Sequence, residues 1–343
     1  LGKTIPFYNT IEDKEKHFKI IEINTEQDFD NFFDEHQNKE GIYRGVSSWR
    51  YKIYSSLQRH LMSNEITIED SNRFINDYIK ICRQNPLLNK YLNSFKIPPS
   101  KLSLMAYLQH FGAPTSFIDF SENISKSLYF ATEKLKNDTI ENFSLYFIDK
   151  KDLELINIDN VYDGVKKRKN YFDELSKVYE EKMDSGRYHN INDEMFDINV
   201  LDVFLIENKV EYEEIFKTYN NIRIIAQEGL FINNSHLKLP LEESLKHFFS
   251  NSVNYQWSPI EETPEAENYQ REEYARIEKC KPLQKRLENN IIISYEFSPK
   301  LVEYVKKKIK LNKEDIYPEE EKLVQELFNK HLETIKITMP NKV

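Results

Sequence analysis

A helix that enters the run Gln109-His110-Phe111-Gly112-Ala113-Pro114-Thr115 has to stop there. Gly112 can take the left-handed backbone that ends a helix, and Pro114 prevents the helix from resuming. Upstream, Leu102, Met105, Ala106 and Gln109 share one helical face. Downstream, Thr115 to Ile118 is a short β-prone run. Ser121 can then cap a second helix with the apolar stripe Ile124, Leu128, Ala131 and Leu135. The stretch from Ser100 to Leu135 must therefore fold as helix, tight turn, strand and helix. Gln109, His110, Thr115, Ser116 and Asp119 gather at its turns. Satisfied turns and caps alone would use such residues, and a site is the second reading.

The other elements follow from period and punctuation. Phe18 to Ile23 alternates like a strand, and Thr25 with Asp28 resembles a capping box ahead of a helix burying Phe29, Phe32 and Phe33. Ile42 to Val46 is a strand carrying Arg44. Tyr54, Leu57 and Leu61 form one helical face, and Phe74, Tyr78 and Ile81 another. Ser144 to Ile148, Val200 to Ile206, Ile222 to Ile232 (bent at Gly229) and Ile291 to Phe297 read as strands. Lys166 to Arg187 and Leu237 to Phe249 read as helices, and Ser250 to Ala266 as an exposed loop. Ser298-Pro299 opens a helix, and Pro318 opens a last one with the stripe Leu323, Leu327 and His331. Strands and helices mix without regular βαβ alternation. The expected class is α+β, a mixed sheet with surrounding helices, in one domain over 18–333 after an extension at 1–17.

Composition narrows the function. The chain has 343 residues, 39% hydrophobic and 31% charged, as a globular protein does. A net charge of -9 argues against general nucleic-acid or anionic-membrane binding. Cys82 and Cys280 lie far apart, the eight His are scattered, and no metal spacing is present. No apolar run is long enough to span a bilayer, and a cytoplasmic location is expected. Three of the seven Gly, Gly45, Gly112 and Gly229, fall in segments rich in polar residues.

Those segments carry a resemblance. Gln109 to Thr115, Asp119 and Leu128-Tyr129-Phe130-Ala131 resemble the central signature of the FRG domain family. Tyr43-Arg44-Gly45 is similar to the Phe-Arg-Gly that names it, with Tyr in place of Phe. Arg223 with Ala226-Gln227-Glu228-Gly229-Leu230-Phe231 resembles its third block, and Leu311 to Leu327, including Ile316-Tyr317-Pro318, its C-terminal segment. Ser116 stands where the family usually has Arg, so any anion contact made by that Arg is missing.

No Walker loop, nucleophile elbow, zinc motif or dinucleotide glycine fingerprint occurs. The order of the blocks is similar, more loosely, to that of ADP-ribosyltransferases. That similarity implies NAD or a related nucleotide as substrate, with an ADP-ribosyltransferase-like fold and ribosyl transfer or glycohydrolysis. A toxin or phage-defence effector is one setting for such an activity. Cleaving the bond to nicotinamide builds positive charge on the sugar, which a fixed carboxylate stabilises, and a diphosphate needs a cationic fork. The residues in position are Glu228, Gln227 and Asp119 for catalysis, and Arg44, Gln109, His110, Thr115, Ser116 and Arg223 for binding. The FRG pattern marks Gln227, which carries no charge, rather than Glu228. The alternative is a module that senses a nucleotide or a protein partner without catalysis.

Overall fold

The computed structural model describes residues 5–319 except 65, 67, 137, 163, 183–194, 197–202 and 253–289. Its strands are β1 (Lys19–Ile23), β2 (Gly41–Val46), β3 (Phe117–Ser121), β4 (Phe143–Asp149), β5 (Val203–Ile206), β6 (Gly229–Asn234) and β7 (Ile292–Phe297). They form one sheet in the order β1-β7-β4-β2-β3-β6-β5. β1 and β7 pair in parallel, and the other neighbours pair antiparallel. Helices flank the sheet, and the class is α+β.

Strand periodicity explains the layers, because successive side chains face opposite sides. On central β4, Phe143, Leu145 and Phe147 join a cluster with Phe29, Phe32, Leu128 and Val305. Tyr146 and Ile148 join a second cluster with Phe18, Ile42, Ile232 and Leu245 on the other face. On β3, Ile118 and Phe120 belong to the second cluster, whereas Phe117 joins a third with Leu57, Leu102, Met105, Phe204 and Phe231. One face of the sheet therefore has a single core. The other face has two, and they meet between β2 and β3. These two strands pair only at Tyr43–Ser121, so the sheet is open on one side of that bridge.

Several expectations hold. Thr25 and Asp28 form a capping box on the helix Glu26–His36, which buries Phe29, Phe32 and Phe33. The helix Lys101–His110 ends ahead of Gly112, whose φ is 82°. Others need correction. Ile222 to Ile232 is not one strand. Asn221 accepts from the amides of Arg223 and Ile224, a helix runs Ile222–Ala226, and Glu228 turns at φ 46° into β6. Capping overrides the β-branched run there. β3 begins later than expected, at Phe117. Asn123, not Ser121, caps the helix Ile124–Thr132. The helix Ile68–Gln84 buries Ile75, Ile79 and Cys82 and leaves Ile81 63% exposed, so its inner face is rotated from the expected one. Pro299–Leu301 is a 3-10 turn before the helix Val302–Ile309, and Ser298 makes no side-chain cap. The helix expected after Pro318 (Leu323, Leu327, His331), Cys280 and most of the loop from Ser250 to Ala266 lie outside the described residues.

The N-terminal stretch packs into the body. Lys14 is fully buried and donates to Glu296 at 2.6 Å, to Ser144 Oγ at 3.1 Å and to the Trp49 carbonyl at 2.9 Å. The Tyr8 hydroxyl donates to Glu242 at 2.5 Å, and the Ile53 amide donates to the same carboxylate at 3.2 Å. Burial lifts the Glu242 carboxyl from 4.5 to about 7. Between those values the folded protein holds a proton that the unfolded chain has lost, so stability falls as pH rises through the window. The effect is about 3 kcal/mol. His36 works in the opposite sense. Burial lowers it from 6.5 to about 4, so its contribution is lost as pH falls from 6.5 to 4. Urea melts of wild type and Glu242→Gln at pH 5 and pH 8 separate the two. The wild type should gain on the variant at pH 5, and parallel pH dependences would refute the assignment.

Candidate functional site

The opening beside the Tyr43–Ser121 bridge is a cleft of about 300 Å³. Its walls include Arg44, Gln109, His110, Asp119, Arg223 and Gln227. Three segments far apart in sequence thus converge: β2, the helix–turn–strand from Gln109 to Asp119, and the short helix before β6.

Arg44 lies between Ile42 and Val46 on β2, and its guanidinium reaches the neighbouring strand. Nη1 donates to the Asp119 carbonyl oxygen at 2.6 Å. Its partner is thus the backbone of Asp119 and not the carboxylate. A guanidinium has five N–H donors, and this is the Arg44 side chain's one hydrogen bond among the described residues. No carboxylate lies within ion-pair distance of it among them. Burial disfavours its charge, the Asp119 carboxylate opposes that, and Arg59 adds to the burial effect. Arg223 lines the same cleft, and its side chain has no hydrogen bond or ion pair among the described residues.

The Asp119 carboxylate accepts from Gln109 Nε2 at 2.9 Å. Asp119 sits mid-strand, not at a turn or a helix start. Gln109 is held in turn: its Oε1 accepts from the Thr115 hydroxyl and from Ser56 Oγ at 3.2 Å. His110 follows Gln109 on the helix, and its Nε2 is buried without a hydrogen-bond partner among the described residues. Burial lowers its pKa first, Asp119 opposes, and Arg223 reinforces, so the ring is neutral at pH 7.

The other candidates fall elsewhere. Thr115 and Ser116 are buried and do not line the cleft; Thr115 braces Gln109, and Ser116 donates to Asn233 Oδ1 at 2.5 Å. Glu228 is exposed, ion-paired to Lys126 at 2.6 Å, and outside the lining. Gln227 lines the cleft, but its amide donates to the Ile316 carbonyl at 3.2 Å. Gly45 lines the cleft, but its missing Cβ serves packing. An added Cβ would run into the Ser127 carbonyl, so the glycine lets the helix Ile124–Thr132 lie against β2. Residues not expected at the site are Phe130 and Tyr317, both in the lining. They stood in quoted blocks, but nothing local marked them as site residues.

Among the described residues, no group of three or more His, Cys, Asp or Glu is placed to hold a metal, and no helix is long and apolar enough to cross a membrane. The fold and cleft define an α+β protein with a cationic pocket opened between two strands of its sheet. The FRG domain model matches residues 39–139, and the chain carries an FRG domain there. That span includes Arg44, Gln109, His110 and Asp119, while Arg223 and Gln227 lie beyond it. No curated protein and no solved structure matches the chain.

Proposed function

We propose that the cleft binds NAD or a related nucleotide through its phosphates and cleaves the N-glycosidic bond, by ADP-ribosyl transfer or hydrolysis. One observation carries the reading. Arg44 presents a half-buried guanidinium to the cleft with a single protein hydrogen bond and no carboxylate partner among the described residues. A cation withdrawn from water needs an anion, and the fork geometry of Arg suits phosphate. Arg223 adds a second cation. Among the described residues Asp119 is the one carboxylate in the lining, and Gln109 fixes its direction. It takes the role of stabilising the sugar cation, in place of Glu228.

The test is incubation of the protein with NAD while free nicotinamide is followed. Nicotinamide should appear, and Asp119→Asn should lower the rate by about 10²–10³. Arg44→Lys keeps the charge but loses the fork. It should weaken NAD binding in calorimetric titration by about 1–3 kcal/mol, with the melting temperature unchanged. A shifted melt with unchanged binding would make Arg44 a structural residue.

A second reading is favoured by the position of Glu228. With that acid ion-paired outside the cleft, the protein senses the nucleotide without cleaving it. NAD would then bind and no nicotinamide would be released.

A further inference from the structure

Tyr317 is held from several sides at the cleft wall. Its hydroxyl donates to Glu133 Oε2 at 3.3 Å. Its ring meets Phe130 edge-on, with centroids 6.1 Å apart. Its amide donates to the Lys313 carbonyl at 2.8 Å. The residue before it, Ile316, is buried, and its carbonyl accepts from Gln227. Phe130 and Tyr317 are both half-buried and both line the cleft that holds Arg44 and Arg223.

We infer that Tyr317, with Phe130 behind it, is the platform on which the ligand's aromatic base stacks, and that Gln227 is a positioning residue that holds the Tyr317 segment in place. The inference rests on the nucleotide reading of the cleft. The arginines supply charge but do not distinguish a nucleotide from any other phosphate ester. An aromatic face supplies that distinction, because every base has a π-face to stack. A ring held by its hydroxyl, its edge and its backbone loses little freedom when a ligand binds. The amide of Gln227 is committed to Ile316, which accounts for an uncharged residue where the catalytic reading wanted an acid.

Calorimetric titrations with ADP and with ribose 5-phosphate test the assignment: the second ligand lacks the base and one phosphate, and the change on removing the ring separates the two. Wild type should bind ADP more tightly. Tyr317→Leu should weaken ADP binding about tenfold or more and leave ribose 5-phosphate unchanged. Tyr317→Phe, which keeps the ring, should retain ADP binding. Gln227→Ala should weaken ADP binding in the same selective way. Phe130→Leu serves if Tyr317→Leu does not fold. Tyr317→Leu that binds ADP as wild type does, or that loses both ligands equally, would overturn the platform. Wild type that binds both ligands equally would overturn it too while leaving the anion cleft in place. Wild type that binds neither would remove the platform together with the nucleotide reading.

Discussion

Lys14→Met should destabilise the protein by about 3–5 kcal/mol. Lys14 and Glu296 are both fully buried, and their ion pair is 2.6 Å long. Ser144 and Ser294 each donate to the Glu296 carboxylate at 2.6 Å. Methionine fills much the same volume but leaves the carboxylate charged and without its cation. The two serines satisfy lone pairs and cannot neutralise the charge, so a buried carboxylate is left without its partner. Chemical melts at pH 7 measure the loss. Glu296→Gln in the Lys14→Met background should recover much of it, because the stranded charge is then gone. A single variant within 1 kcal/mol of wild type would show that the pair contributes little. The result bears on the whole sheet, because Lys14 precedes β1, Ser144 lies on β4 and Ser294 and Glu296 lie on β7.

Gly45→Ala should cost about 3 kcal/mol or more, at or above the upper end for overpacking. The added Cβ would meet the Ser127 carbonyl and lie 2.8 Å from the Ala131 amide nitrogen. Both are backbone atoms of one helix, so no side-chain rotation relieves the clash. The helix Ile124–Thr132 would have to move off β2, and it carries Leu128 and Ala131 into the core and Phe130 to the cleft. Ser127 Oγ, which donates to the Tyr43 carbonyl at 3.0 Å, would be displaced with it. A melting temperature that falls together with ligand affinity is the expected result. An unchanged melt would mean that the helix can shift freely, contrary to its packing.

What the sequence determined by itself is mostly local. The stop at Gly112 and Pro114, the capping box at Thr25 and Asp28 and the alternating strand at β1 depend on residues within a turn or two of one another. Of the candidates named from the three polar blocks, Arg44, Gln109, His110, Asp119, Arg223 and Gln227 line one cleft, and Thr115, Ser116 and Glu228 do not. The partners of these residues were not legible. The sequence cannot say that Arg44 takes a backbone oxygen, that Glu228 turns outward to Lys126, or that Gln227 is committed to Ile316. These contacts join residues 75, 102 and 89 positions apart, respectively. Spacing along the chain has no bearing on such pairs. The tertiary structure also decided the purpose of Gly45, because only the approach of a helix backbone shows that the missing Cβ makes room for packing. It decided the cleft itself, which exists because two cores on one sheet face meet where β2 and β3 share a single bridge. Local propensity and capping bias which segments become strands or helices; how far two strands stay paired is set by what packs on them.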